Sequence, residues 1–220
     1  MRIIIKTSKN QTIVPFDYIP MMVGAIHKWI GSKNDLHGKM SLYTFSWLKG
    51  AQKVKSGFNF PHGASFFISA HDEKLIKQII KGAMDQPELF FGMSIKEISL
   101  VSSPSFEREE ACFPVASPVL IKRKEENRVN HYLFSDPKSD ELLTESMAKK
   151  MGLAGLDSTG LSISFDRTYQ AAKTKVVNYN GIKNKGNVCP VIVKGSPEQI
   201  EFVWNVGVGN STGIGFGALN

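Results

Sequence analysis

Between Arg2 and Val101 the sequence switches repeatedly between two hydrophobic periods, and the order of those switches leaves few folds open. Arg2 to Thr7 is a β-branched run followed by a polar turn, the pattern of a buried strand. After Pro15 and Pro20, the stretch Met21 to Ile30 places Met22, Ala25, Ile26 and Trp29 at spacings of three and four, which is one face of a helix. That helix should stop at Gly31-Ser32. A polar loop, Lys33 to Lys39, then leads into the β-branched and aromatic run LYTFSWL. A further strand, SFFIS, occupies Ser65 to Ser69. Asp72 has the chemistry of an N-cap for a helix carrying Leu75, Ile76, Ile79 and Ile80 on one face. ELFFGMSIKEISLV closes the set as a long strand interrupted at Gly92. Strand, helix, strand, strand, helix, strand is the split βαβ order of a ferredoxin-like domain.

From Ser117 the pattern restarts. PVLIKR and HYLF read as strands, and Asp140 to Met151 as a helix carrying Leu142, Leu143 and Met147. Strands are expected at Leu161 to Phe165, Ala172 to Tyr179, Val188 to Lys194 and Glu198 to Val206. Ser, Pro and charged residues replace the apolar pattern from Ser102 to Arg108, which marks a linker. The expectation is an α+β chain of tandem ferredoxin-like (RRM-like) domains, residues 1–104 and 105–220. The two halves show no sequence repeat, so the second domain is inferred from element order alone. A length of 220 residues suits two small domains.

The most specific string is the ending WNVGVGNSTGIGFGALN. Gly207, Gly209, Gly213, Gly215 and Gly217 fall within eleven residues, and five residues separate Gly209 from Gly215. A dinucleotide-binding loop would have to open a helix inside a βαβ unit, but only three residues follow the last glycine. Two readings stay open. Glycines can permit positive φ in a tight hairpin, or bare backbone can let an RNA strand or a neighbouring helix sit against the loop.

Charge points the same way as the second of these. A formal charge of +7 suits a polyanionic partner, since phosphate neutralisation dominates nucleic-acid affinity. Between Arg167 and Ser196 there are six Lys or Arg and no Asp or Glu. Lys173 and Lys175 alternate along one expected strand and project to one side, while Lys183 and Lys185 fall in the expected loop NYNGIKNKGN. A basic hairpin of this kind can track phosphates or enter an RNA groove. Tyr169, Tyr179 and Phe216 are candidates to stack on splayed bases, with core packing as the alternative. Cys112 and Cys189 are far apart and lack the spacing of a zinc site or a disulfide framework, so both are expected as ordinary buried or half-buried thiols. No apolar run approaches the ~20 residues of a membrane span, and the first residues have too short an apolar stretch for a secretory signal. The expected location is the cytoplasm.

The tail is similar to the C-terminal glycine-rich motif of the repeat-associated mysterious protein superfamily, in particular the CRISPR endoribonuclease that forms the sixth Cas protein family. The likeness extends to the N-terminal strand, the VPFDYIPMMVGAI helix entry, the LH loop with LYTFS behind it, and the SPV strand opening the second half. It implies two tandem ferredoxin-like domains and cleavage of precursor CRISPR RNA within its repeats. The partner implied is CRISPR repeat RNA, with effector-complex subunits and a second copy of the chain as further candidates, no membrane, no cofactor and no metal. Because the superfamily also has architectural members, a non-cleaving RNA-binding subunit of an effector complex is the alternative.

Metal-free RNA cleavage needs a base near the 2′-oxygen, an acid near the departing 5′-oxygen, and positive charge or donors at the phosphoryl oxygens. Histidine suits the first two tasks because its ordinary pKa is about 6.5. His27, in the first helix, and His37, in the loop after it, can face one another as an acid-base pair. The family resemblance puts the catalytic histidine at His37, and His27 where relatives carry a tyrosine or a second histidine. It also implies a charge-stabilising lysine near here, with Lys39 and Ser41 as competing positions. Tyr43 could donate to the phosphate or be buried by strand alternation. His62, His71 and His131 match no catalytic position.

Overall fold

The computed structural model describes residues 1–31, 40–126 and 128–220. Its first half runs β1 (Arg2–Thr7), α1 (Ile19–Ile30), β2 (Tyr43–Phe45), β3 (Gln52–Val54), β4 (Gly57–Asn59), β5 (Ser65–Ala70), α2 (Glu73–Asp85) and β6 (Ile95–Val101). β2, β5, β1 and β6 lie in that order in one antiparallel sheet, which is the ferredoxin-like arrangement. The side chains that make the sheet also choose its covered face. Ile3 and Ile5 on β1 are fully buried in one cluster with Met22, Ile26 and Trp29 of α1 and Ile76 and Ile79 of α2. Each such side chain contributes about 1.5–3 kcal/mol when withdrawn from water. The Asp72 carboxylate accepts from the Lys74 amide and so caps α2, while Pro20 sits in the first turn of α1, where its missing N–H costs nothing.

The second half contains β7 (Glu110–Phe113), β8 (Lys122–Glu125), β9 (Arg128–His131), α3 (Lys138–Leu153), β10 (Ser162–Phe165), β11 (Lys173–Tyr179), β12 (Ile182–Val188), β13 (Val191–Lys194), α4 (Pro197–Val206) and a single 3-10 turn, Thr212–Ile214. β10, β13 and β7 form a sheet in that order, and the tail adds one bridge, Val115 to Leu219. This repeats the topology of the first half with its last strand reduced to a bridge. A second buried cluster runs from Phe113 to Leu219 and draws on α3, α4 and this sheet.

Several expectations need correcting. Glu198 to Val206 is a helix: Ser196 and Gln199 form a capping box and Pro197 sits in the first turn, signals that outweigh the β-branched look of the run. Lys183 and Lys185 stand on β12, because the turn of the basic hairpin is confined to Asn180-Gly181. The strand expected at Val188 begins at Val191, after Pro190. PVLIKR pairs as a strand only from Lys122, and HYLF gives way to Arg128–His131. Phe91 and Gly92 turn with positive φ, so the long strand begins at Ile95. The β3–β4 hairpin and β7 carry no pattern that set them apart in the sequence. Cys112 is exposed, while Cys189 is buried.

Arg2 ties the halves together. Its guanidinium lies 3.8 Å over the Phe67 ring and 3.5 Å over that of Trp204, and it donates to the carbonyls of Trp204 and Leu219. Burial pulls its pKa down to about 9. Among the described residues no helix is long and apolar enough to cross a membrane.

Candidate functional site

His27 lies on the third turn of α1, half-buried, with Nε2 3.4 Å from Tyr43 Oη. Tyr43 opens β2, and strand alternation points it inward, 1% exposed. Its hydroxyl donates to the Gly213 carbonyl at 3.1 Å. With that proton committed, Oη is left as an acceptor and Nε2 of His27 faces it as a donor, which orients the imidazole. Burial pushes the Tyr43 phenol up to about 12, so it stays protonated near neutrality and cannot serve as a base there.

The glycine-rich tail is stitched to β2 and its flanks almost residue by residue. The Thr212 hydroxyl donates to the Ser41 carbonyl (3.4 Å), Thr44 Oγ1 to the Phe216 carbonyl (3.3 Å), and Trp47 Nε1 to the Gly215 carbonyl (2.8 Å). The spacing between segments is too small for side chains. A Cβ on Gly213 would stand 2.3 Å from Ser41 Oγ, and one on Gly217, where φ is +66°, would stand 1.9 Å from the Val208 carbonyl oxygen. Gly207 packs against Thr44 and the Gly217 carbonyl, Gly209 against the Leu120 carbonyl, and Gly215 against Phe45 and Ile19. The room made by all five glycines is thus taken by the chain itself.

Behind the tail, Lys150 of α3 is fully buried. Its ammonium donates to the Gly207 carbonyl (3.0 Å) and to Thr212 Oγ1 (3.3 Å), and burial brings its pKa down to about 7. A path of hydrogen bonds therefore runs from α3 through Thr212 to Ser41. The sequence carried a signal for this: Leu143, Met147 and Lys150 continue one helical period, which puts a lysine at a core position.

His27, Ser41 and Tyr43 are thereby gathered around the 3-10 turn at Thr212–Ile214. The expectations for His37 and Lys39 fall outside the described residues. His62 lies in an exposed turn, the His71 and Phe202 rings pack edge-to-face with centroids 4.9 Å apart, and His131 ends β9.

The basic hairpin β11–β12 has two distinct faces. Its register pairs Val176 with Lys185 and Asn178 with Lys183, so Lys183 and Lys185 project with Val176. Lys173 and Lys175 share the other face with Val177, which is buried with Leu120 and Phe216. Lys175 lies 4.3 Å over the Trp47 ring, and its pKa is lowered by burial and then by Lys173. Phe216 is fully buried, which removes it as a surface for stacking bases; Tyr169 is exposed and Tyr179 is half-buried against the first cluster.

A family model described as CRISPR associated protein Cas6, C-terminal, matches residues 101–220. No curated protein sequence matches the chain. Among solved structures, one described as the characterization of a Cas6-related gene from Pyrococcus furiosus superposes with a TM-score of 0.85 at 21% identity, covering 100% of this chain and 97% of that one. An RAMP protein binding different RNA substrates gives the same score and identity, covering 100% and 98%. A Cas6 product complex superposes at a TM-score of 0.69 and 14% identity, covering 99% and 98%. These likenesses carry the tandem ferredoxin-like fold over the whole chain.

Proposed function

Because this chain belongs to the Cas6 family of CRISPR-associated proteins, we propose that it is a metal-independent endoribonuclease that cuts precursor CRISPR RNA within its repeats to release guide RNAs. The RNA supplies the nucleophile. One imidazole of the His27 and His37 pair takes the proton of the 2′-hydroxyl as its oxygen attacks the adjacent phosphorus, and the other gives a proton to the departing 5′-oxygen. The products are a 2′,3′-cyclic phosphate, or the 3′-phosphate from its hydrolysis, and a 5′-hydroxyl. Lys39 or Ser41 stabilises charge on the phosphoryl oxygens.

The observation that carries this reading is the position of His27 beside Tyr43 and the tail turn. A protonated phenol fixes the imidazole from one side, and the glycine-framed turn holds that phenol. Gly207, Gly209, Gly213, Gly215 and Gly217 act in RNA binding through this frame. Lys173, Lys175, Lys183 and Lys185 take phosphates along the two hairpin faces. Two structural neighbours, an RAMP protein binding different RNA substrates and a Cas6 product complex, fit a repeat RNA as the partner.

Labelled repeat RNA incubated with the protein in EDTA should yield one discrete cut, and a 2′-deoxy substitution at that nucleotide should abolish it. Cleavage that required Mg²⁺, or that survived the deoxy substitution, would sink the mechanism. Tight repeat binding without turnover, unchanged by His37→Ala, would instead identify a non-cleaving subunit.

A further inference from the structure

A cleft of about 1000 Å³ opens beside the N-terminal end of α1. It lies between the segment before that helix, Trp47, the β3–β4 hairpin and β11, which pairs only with β12 in its sheet. Its lining combines aromatic faces with ammonium groups. Phe16 is 47% exposed and is held edge-on to Phe58, with ring centroids 5.0 Å apart. The Trp47 indole cannot turn freely, because its N–H is given to the Gly215 carbonyl. Lys175 sits 4.3 Å over that indole and Lys53 5.8 Å over the Phe16 ring, while Lys55 lines the same wall. Among the described residues of the lining the carboxylate is that of Asp17, which accepts from Asn178 at 3.4 Å.

Fixed rings alternating with ammonium groups match the two halves of a nucleotide. A base has a π-face that stacks on Phe or Trp whatever its identity, and its phosphates are anions that long lysine side chains can reach. The cation–π contacts hold the lysines over the rings until a phosphate offers a stronger partner. Ile19, which lines the cleft, and His27 stand eight residues apart on the same helix, about 12 Å along its axis. At a rise of about 3.4 Å per stacked nucleotide, that distance spans about three to four nucleotides, and fewer where the strand is extended.

We infer that this cleft is a nucleotide pocket, which takes one unpaired nucleotide of the RNA a few positions from the cut, its base against Phe16 and Trp47 and its phosphates on Lys53, Lys55 and Lys175. The inference rests on the RNA-processing reading for the position of the nucleotide, but not for the chemistry of the pocket. It makes the cleft a second determinant of where the RNA lies, separate from the histidines.

The test uses full-length protein and repeat RNAs with a single abasic site, or a single 5-iodouridine, at each position around the cut. One abasic position should weaken binding about tenfold in the native protein and have no effect in Phe16→Ala. The iodouridine at that position should crosslink to Phe16 or Trp47. Lys53→Ala combined with Lys55→Ala should weaken binding of the intact repeat RNA about tenfold. If the RNA crosslinks in the cleft but is never cut, the pocket stands and the nuclease reading falls. If cutting is normal, Phe16→Ala and the double lysine variant bind like the native protein, and crosslinks fall elsewhere, the pocket is overturned and the nuclease reading stands. Occupation of the cleft by an extended protein segment that the RNA cannot displace would overturn the pocket as well.

Discussion

The glycine-rich tail and the β11–β12 hairpin both lean from the second half of the molecule onto the first, and they do so by opposite means. The tail is buried; its glycines mark places where backbone meets backbone or side chain at distances no Cβ allows. The hairpin is largely exposed, and its own turn glycine, Gly181, has nothing within 4 Å of the place a Cβ would take. Its identity is in its charges rather than its packing. One region is therefore constrained by atoms of the same protein, the other by what approaches from outside. Side chains added at the tail glycines should be read first in stability, and charges removed from the hairpin in RNA affinity.

The sharpest way to test that division is at the group the tail frames. His27→Ala should slow single-turnover cutting of repeat RNA by roughly 10²- to 10⁴-fold, with little change in melting temperature because the side chain is only half-buried. Normal cutting by this variant would mean that the tail frames no catalytic group. Next in size is Gly217→Ala. A new Cβ 1.9 Å from the Val208 carbonyl oxygen, on a residue with φ of +66°, combines overpacking with backbone strain. The cost should be about 3 kcal/mol, which is a melting temperature lower by roughly 10 °C. Calorimetry that found the variant as stable as the parent would refute the seam.

On the hairpin the expected signature is reversed. Lys183→Ala with Lys185→Ala should leave melting unchanged and lower the slope of log affinity against log salt by about 1.4, taking roughly 0.7 per phosphate contact on a single strand. An unchanged slope would remove these two lysines from the interface and leave the Lys173 and Lys175 face as the one in contact.

Lys150 offers a pH test of the tail. Its ammonium ionises at about 7 when folded against an ordinary 10.5, so between those values the unfolded chain holds a proton that the folded chain does not. Stability should therefore be lowest, for this group, below pH 7 and rise as the pH is raised toward 10. Denaturation across that range should show a slope in the native protein that Lys150→Met lacks. The smallest effect belongs to Gly181→Ala, where φ is +81° but space is open; it should cost on the order of 1 kcal/mol.

Much of this was legible in the residues, for local reasons. The first half announced its order because each element there carries its own period and its own cap, as at Asp72 and Gly31. His27 could be placed on a helix because its neighbours Met22, Ile26 and Trp29 mark the buried face. Phe216 could not be assigned, since an aromatic among glycines suits a core and a stacking platform equally. Only the packing of Leu120 and Val177 against it decides. In α4 two local signals conflict: the Ser196-Pro197 start and Gln199 outweigh a run with the β-branched look of a strand.

Alone, the sequence determined periods, caps, turns and net charge, because these follow from interactions within a few residues. The tertiary structure decided which lysines share a face, what fills the space beside each tail glycine, and why a lysine of α3 points into the core. Those outcomes depend on contacts between segments as far apart as Ser41 and Thr212, whose distance no local pattern encodes.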